Sequence, residues 1–122
     1  MKKTKVIILL IASFVLVMSK ISAQSTLKEL PADERAKMLT EKMTASLKLD
    51  SVQVVKVGDI NLKYARKIDP VIKGNGSRMS KLKAFRDINQ EKQAELRKVL
   101  SKEQFGQYQK MQEEMRDRIR QR

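Results

Sequence analysis

The chemistry open to this chain is bounded first by what it lacks. Its 122 residues contain neither His nor Cys, so Ser–His and Cys–His nucleophile systems cannot be assembled. Ser80-Lys81-Leu82-Lys83 has the Ser-x-x-Lys spacing of penicillin-recognising enzymes, but no Ser-Asp-Asn or Lys-Thr-Gly partner accompanies it. It reads as a helix N-cap followed by surface lysines. Glu113 and Glu114 are adjacent rather than facing and lie among arginines, which makes them surface ion-pair partners. A zinc site favours His or Cys ligands, so the only metal site left open is a weak carboxylate one at an oligomer interface. Gly74-Asn75-Gly76 offers backbone amides but lacks the strand–loop–helix setting of a phosphate-binding loop. No catalytic residue, metal or cofactor is expected, and the chain does not read as an enzyme.

Hydrogen-bond chemistry is more specific. Leu49-Asp50-Ser51-Val52-Gln53 and Leu100-Ser101-Lys102-Glu103-Gln104 share one pattern: Leu, a small polar residue, two spacers, then Gln. Each is a helix start. Asp50 or Ser101 at the N-cap accepts a bond from the backbone N–H of the third helical residue, and Gln53 or Gln104 reaches back to the cap's own N–H. Leu49 with Val54, and Leu100 with Phe105, add the hydrophobic staple that fixes the entry angle of the chain.

These boxes resemble the Leu-Thr-x-x-Gln motifs of the Spy/CpxP family, small all-helical periplasmic proteins that include ATP-independent chaperones. The likeness is closest over residues 47–53 and 99–108, with Asp50 and Ser101 standing where the family has Thr. It extends over residues 32–120 in pattern but only over the boxes in residue identity. The resemblance implies an all-α fold and a protein that holds unfolded or damaged envelope proteins without ATP. It leaves open a regulatory protein that docks on a sensor domain. Some relatives are associated with zinc, for which this chain lacks the favoured ligands.

The N-terminus has the layout of a secretory signal peptide. Lys2, Lys3 and Lys5 precede an apolar run over residues 6–18, and Ser22-Ala23 suits cleavage before Gln24. Those thirteen residues would cover about 20 Å as a helix, short of the ~30 Å hydrocarbon core of a bilayer. No Cys follows to carry a lipid. The expected organisation is a signal peptide (1–23), a flexible mature N-terminus (24–31) and a Spy/CpxP-like helical domain (32–122) in the periplasm. Residues 24–122 carry a net charge of +9, against +13 for the whole chain. Without disulfides and with few aromatics, stability must come from helix packing or an oligomer interface.

Four amphipathic helices can be drawn, giving an elongated, hairpin-like all-α domain paired as a homodimer. Ala32, Ala36, Leu39, Met43 and Leu47 share one face of the first helix, at spacings of three and four. Val54, Val57, Ile60, Tyr64 and Ile68 stripe the second, and Pro70 should end or kink it. Gly74-Asn75-Gly76-Ser77 is a turn in which Gly and Asn would supply left-handed backbone angles. The third helix carries Leu82, Phe85, Ile88, Leu96, Val99 and Leu100, with a solvated middle over residues 89–95. Phe105, Tyr108, Met111, Met115 and Ile119 stripe the fourth.

Basic residues are spread over all four helices, and export argues against nucleic acid as the partner. Positive charge instead suits long-range attraction of unfolded polypeptides, with an anionic membrane surface a less favoured partner. The charges expected to make first contact are Lys63, Arg66, Lys67, Arg78, Lys83 and Arg86. Val55 and Leu62, which lie off the core stripe of the second helix, are expected to hold the client afterwards. Met38 and Met79 are the methionines expected on the surface.

Overall fold

The computed structural model describes residues 30–121. The signal peptide and most of the mature N-terminal segment expected from the sequence lie outside the described residues. Within them there are four α-helices, here α1 (Ala32–Leu47), α2 (Ser51–Lys73), α3 (Arg78–Val99) and α4 (Lys102–Arg120), and no strand. No described helix is long and apolar enough to cross a membrane.

The helices pack in sequence. α1 lies against α2, and α2 against α3, while α4 touches α1 and α3. Cross-helix bonds show that neighbours run antiparallel. Asp33 meets Arg66 while Thr40 meets Asn61, and Lys63 meets Glu95 while Lys67 meets Glu91. One core joins the four helices, built from Met43 and Leu47 of α1, Val57, Ile60 and Tyr64 of α2, Ile88 and Leu96 of α3, and Leu100, Phe105 and Tyr108 beyond. Most residues of the stripes drawn from helical spacing therefore face inward, while Val54, Phe85 and Met115 are only partly buried and lie outside this core. Leu82 is half exposed at the start of α3, and Ile119 is exposed near the end of α4.

The starts and stops differ from expectation in instructive ways. Pro70 does not end α2, which continues one turn to Lys73, capped by the Gly74 N–H donating to the Pro70 carbonyl. Proline forfeits the bond its own N–H would have made and crowds the carbonyl four residues earlier, yet the Gly74 N–H still closes the final turn on Pro70. The Gly74–Ser77 turn uses no left-handed angle, since no described glycine has positive φ. Glycine is needed at 74 because a Cβ there would sit 2.7 Å from the Pro70 carbonyl oxygen. Lys48, at φ 53°, is the left-handed residue among those described. It closes α1 with an N–H bond to the Thr44 carbonyl, a role that usually falls to glycine. Ser77 rather than Ser80 caps α3. The Ser80 N–H donates to Ser77 Oγ at 3.1 Å, so the Ser-x-x-Lys serine is a first-turn helical residue.

The middle of α3 is not uniformly solvated. Lys92 is only 9% exposed, because it falls four residues from both Ile88 and Leu96 on the inward stripe. Burial pushes its ammonium from 10.5 down to about 8. Asn61 of α2 is also buried. It donates to Thr40 Oγ1 at 2.9 Å, and its own Oδ1 has no partner among the described residues.

Candidate functional site

Both boxes fold as complete capping boxes. Asp50 Oδ1 accepts from the Gln53 N–H at 2.8 Å, and Gln53 Oε1 accepts from the Asp50 N–H at 3.2 Å. Ser101 and Gln104 repeat this at 3.1 and 3.0 Å. The fold then brings the boxes together, which their separation in sequence does not disclose. Gln53 Nε2 donates to Gln104 Oε1 at 2.7 Å, and Gln104 Nε2 donates to Gln53 Oε1 at 3.1 Å. Each amide spends its remaining N–H on the helix that precedes the other box: Gln53 on the Val99 carbonyl at 3.1 Å, Gln104 on the Leu47 carbonyl at 3.2 Å. Each glutamine thus caps its own helix start and satisfies an orphan carbonyl at the other's preceding helix end. Only a primary amide has the two donors and one two-lone-pair oxygen that this needs. The recurrence of Gln at the third helical position was the available signal.

The basic residues singled out from the sequence fall into two groups. Lys63, Arg66 and Lys67 are engaged between helices. Arg66 forms a two-pronged pair with Asp33 at 3.0 and 3.1 Å, Lys63 pairs with Glu95, and Lys67 pairs with Glu91. The Tyr64 hydroxyl adds a bond to Glu95 at 2.8 Å. Bonds from Lys63 first, then from Tyr64, hold the Glu95 carboxyl below its usual range. These ion pairs bridge α2 to its neighbours, and all three cations remain exposed. Arg78, Lys83 and Arg86 of α3 are exposed and form no ion pair among the described residues.

The exposed cations keep apolar company. Met79 is 74% and Leu82 51% exposed, and Phe85 is half-buried. Arg78, Lys81, Leu82 and Phe85 line a surface hollow of about 450 Å³ beside Gly76. Asp87 is the only acid in the first ten residues of α3. This hairpin tip combines positive charge with adaptable apolar side chains.

Val55 and Leu62 sit elsewhere. Leu62 lines an apolar groove of about 630 Å³ between α1 and α2, together with Ala36, Ala45, Val54 and Gly58. Val55, 63% exposed, lies two turns from Leu62 on the same helix. Glu41, Asp59 and Asp33 flank the groove, with Lys37 the one cation on its rim. Leu62 is therefore bordered by acids, apart from the exposed cations of α3, while Val55 lies outside the groove lining. No cluster of three or more acidic side chains suited to a metal ion occurs among the described residues.

The chain belongs to a family described as Domain of unknown function (DUF4890), whose model matches residues 22–108. That span takes in both boxes, α1 to α3 and the first turns of α4. It is this family, and not Spy/CpxP, that the comparison with family models returns. No curated protein matches the chain, and no solved structure does.

Proposed function

We propose that this protein is an ATP-independent, chaperone-like binder of unfolded or damaged proteins in the bacterial periplasm, using the hairpin tip as its client surface. The observation that carries this reading is the coincidence, on the N-terminal half of α3, of exposed Met79 and Leu82 with Arg78, Lys83 and Arg86. Positive charge raises the encounter rate with acidic, extended chains. Methionine and leucine then give short-range contacts that repack as the client moves. The likeness of the two boxes to the Spy/CpxP motifs supports the same function, and the signal-peptide layout supports the location.

Aggregation of several unrelated, chemically unfolded proteins tests it. The protein should suppress aggregation of all of them without ATP, less so as salt rises. Replacing Arg78, Lys83 and Arg86 by Glu should remove most of that activity with helicity retained. Tight binding to a single folded partner, with no suppression of aggregation, would instead indicate a regulatory protein that docks on a sensor.

A further inference from the structure

The α1–α2 groove and the tip of α3 carry opposite charge, with Lys37 the one cation on the groove's rim, and each lacks a counterpart among the described residues. The groove floor is made of small and aliphatic residues, and its rim carries Glu41 and Asp59, which have no ion pair among the described residues. Asp33 is already held by Arg66. On a chain of net charge +13, an acid-bordered apolar groove is an exception that favours a basic amphipathic helix. The first half of α3 offers that chemistry: exposed Met79 and Leu82 share its outer face with Lys83 and Arg86, which stand four and seven residues from Met79.

The dimensions agree. The α1 side of the groove runs from Asp33 to Ala45, about 18 Å at ~1.5 Å per residue, and three turns of α3 from Arg78 cover about 16 Å. The floor has room for long side chains because Ala36, Ala45 and Gly58 are small.

We propose that the groove of one protomer receives the N-terminal half of α3 from a second copy of this chain. Each copy carries one groove and one tip, and a pair that uses both contacts at once closes about a two-fold axis. Glu41 and Asp59 of each protomer face the basic flank of the partner helix, while Met79 and Leu82 enter the floor beside Leu62. The pairing covers the surface assigned above to clients. Self-association and client binding therefore exclude one another, a consequence that rests on the client-binding reading, whereas the pairing itself does not.

Sedimentation equilibrium of the purified protein, without client, tests the pairing. At low salt the wild type should be dimeric, with the dissociation constant rising at least tenfold in 0.5 M salt as exposed charges are screened. Glu41→Lys with Asp59→Lys should give a monomer, and so should Lys83→Glu with Arg86→Glu, each with wild-type helicity by circular dichroism. Mixing the two variants should restore dimers, because each groove then meets a tip of opposite charge. A monomeric wild type, a dimer indifferent to both pairs of changes, or a mixture that stays monomeric would overturn the pairing. The monomeric groove variant should suppress aggregation at least as well as wild type, and weaker suppression would overturn the masking. No suppression by either protein would refute the chaperone reading and leave the pairing to be judged on sedimentation alone.

Discussion

The two ends of the α2–α3 hairpin are built on opposite terms. At the box end, α2 begins and α3 finishes under a closed set of hydrogen bonds, in which Gln53 and Gln104 each cap one helix start and tie down the other's preceding carbonyl. At the tip end, α2 finishes and α3 begins in an exposed turn followed by cations with no ion pair among the described residues and by exposed Met79 and Leu82. One end spends its polar groups on the fold, and the other leaves side chains uncommitted. On the proposed function, stability and recognition are separated along the hairpin, so substitutions at one end should scarcely register in the property governed by the other.

The largest stability loss should come from the glutamine pair. Gln53→Ala removes the cap bond, the bond to Val99 and both bonds with Gln104. At ~1 kcal/mol net per bond, less what water recovers, a loss of about 2–3 kcal/mol is expected. That lowers the melting temperature by roughly 10–20 °C in a domain of this size. The Gln53→Ala, Gln104→Ala cycle should show a coupling of about 1–2 kcal/mol by denaturant unfolding. Additive effects would mean that the two boxes act as separate caps and would remove the contrast between the ends.

Lys92 should produce the next largest effect, and of opposite sign. Its charged form is disfavoured by burial, so Lys92→Met should stabilise the protein by about 1–3 kcal/mol at pH 7. The pH dependence follows from the same cause. Between about 8, where the folded ammonium titrates, and 10.5, where the unfolded one does, the unfolded chain binds more protons and stability should rise with pH. Tyr108, pushed by burial up to about 12 from 10.0, opposes this above pH 10, since the unfolded phenol ionises first. Urea midpoints measured from pH 7 to 10 should therefore climb in the wild type and stay flat in Lys92→Met.

A smaller gain is expected at Gly58, which sits within α2 where that helix meets α1. An added Cβ would lie 3.7 Å from the Thr40 methyl group, an ordinary contact. Gly58→Ala should thus stabilise by about 0.5–1 kcal/mol through reduced backbone freedom and better helix propensity. Thermal unfolding checks it, and a loss would show that the helices approach too closely there to admit a methyl.

Sequence legibility followed the same division. Periodicity placed the apolar stripes because burial in a helical protein has to repeat every three or four residues. The boxes were legible because capping is local. What stayed hidden was non-local: that two glutamines far apart in sequence share one set of bonds, and that Lys63, Arg66 and Lys67 have acidic partners on neighbouring helices. Lys92 shows a different failure. Its place between Ile88 and Leu96 put it on the inward face, but its charge argued for water, and geometry prevailed. The left-handed angle appeared at Lys48 rather than in the glycine turn, because helix ending at α1 demanded it and the α2–α3 turn did not.

At the tip, stability should barely change, within about 0.5 kcal/mol for exposed residues, while binding should change greatly. The most direct test is stopped-flow association of a permanently unfolded, acidic polypeptide with the wild type and with Arg78→Glu, Lys83→Glu, Arg86→Glu, at 0.05 and 0.5 M salt, with every protein kept below the concentration at which it pairs with itself. The account predicts association at least tenfold slower for the variant at low salt, with rates converging at high salt and melting temperatures within a few degrees. Equal association rates for the two proteins at low salt would contradict it and move the client surface away from α3.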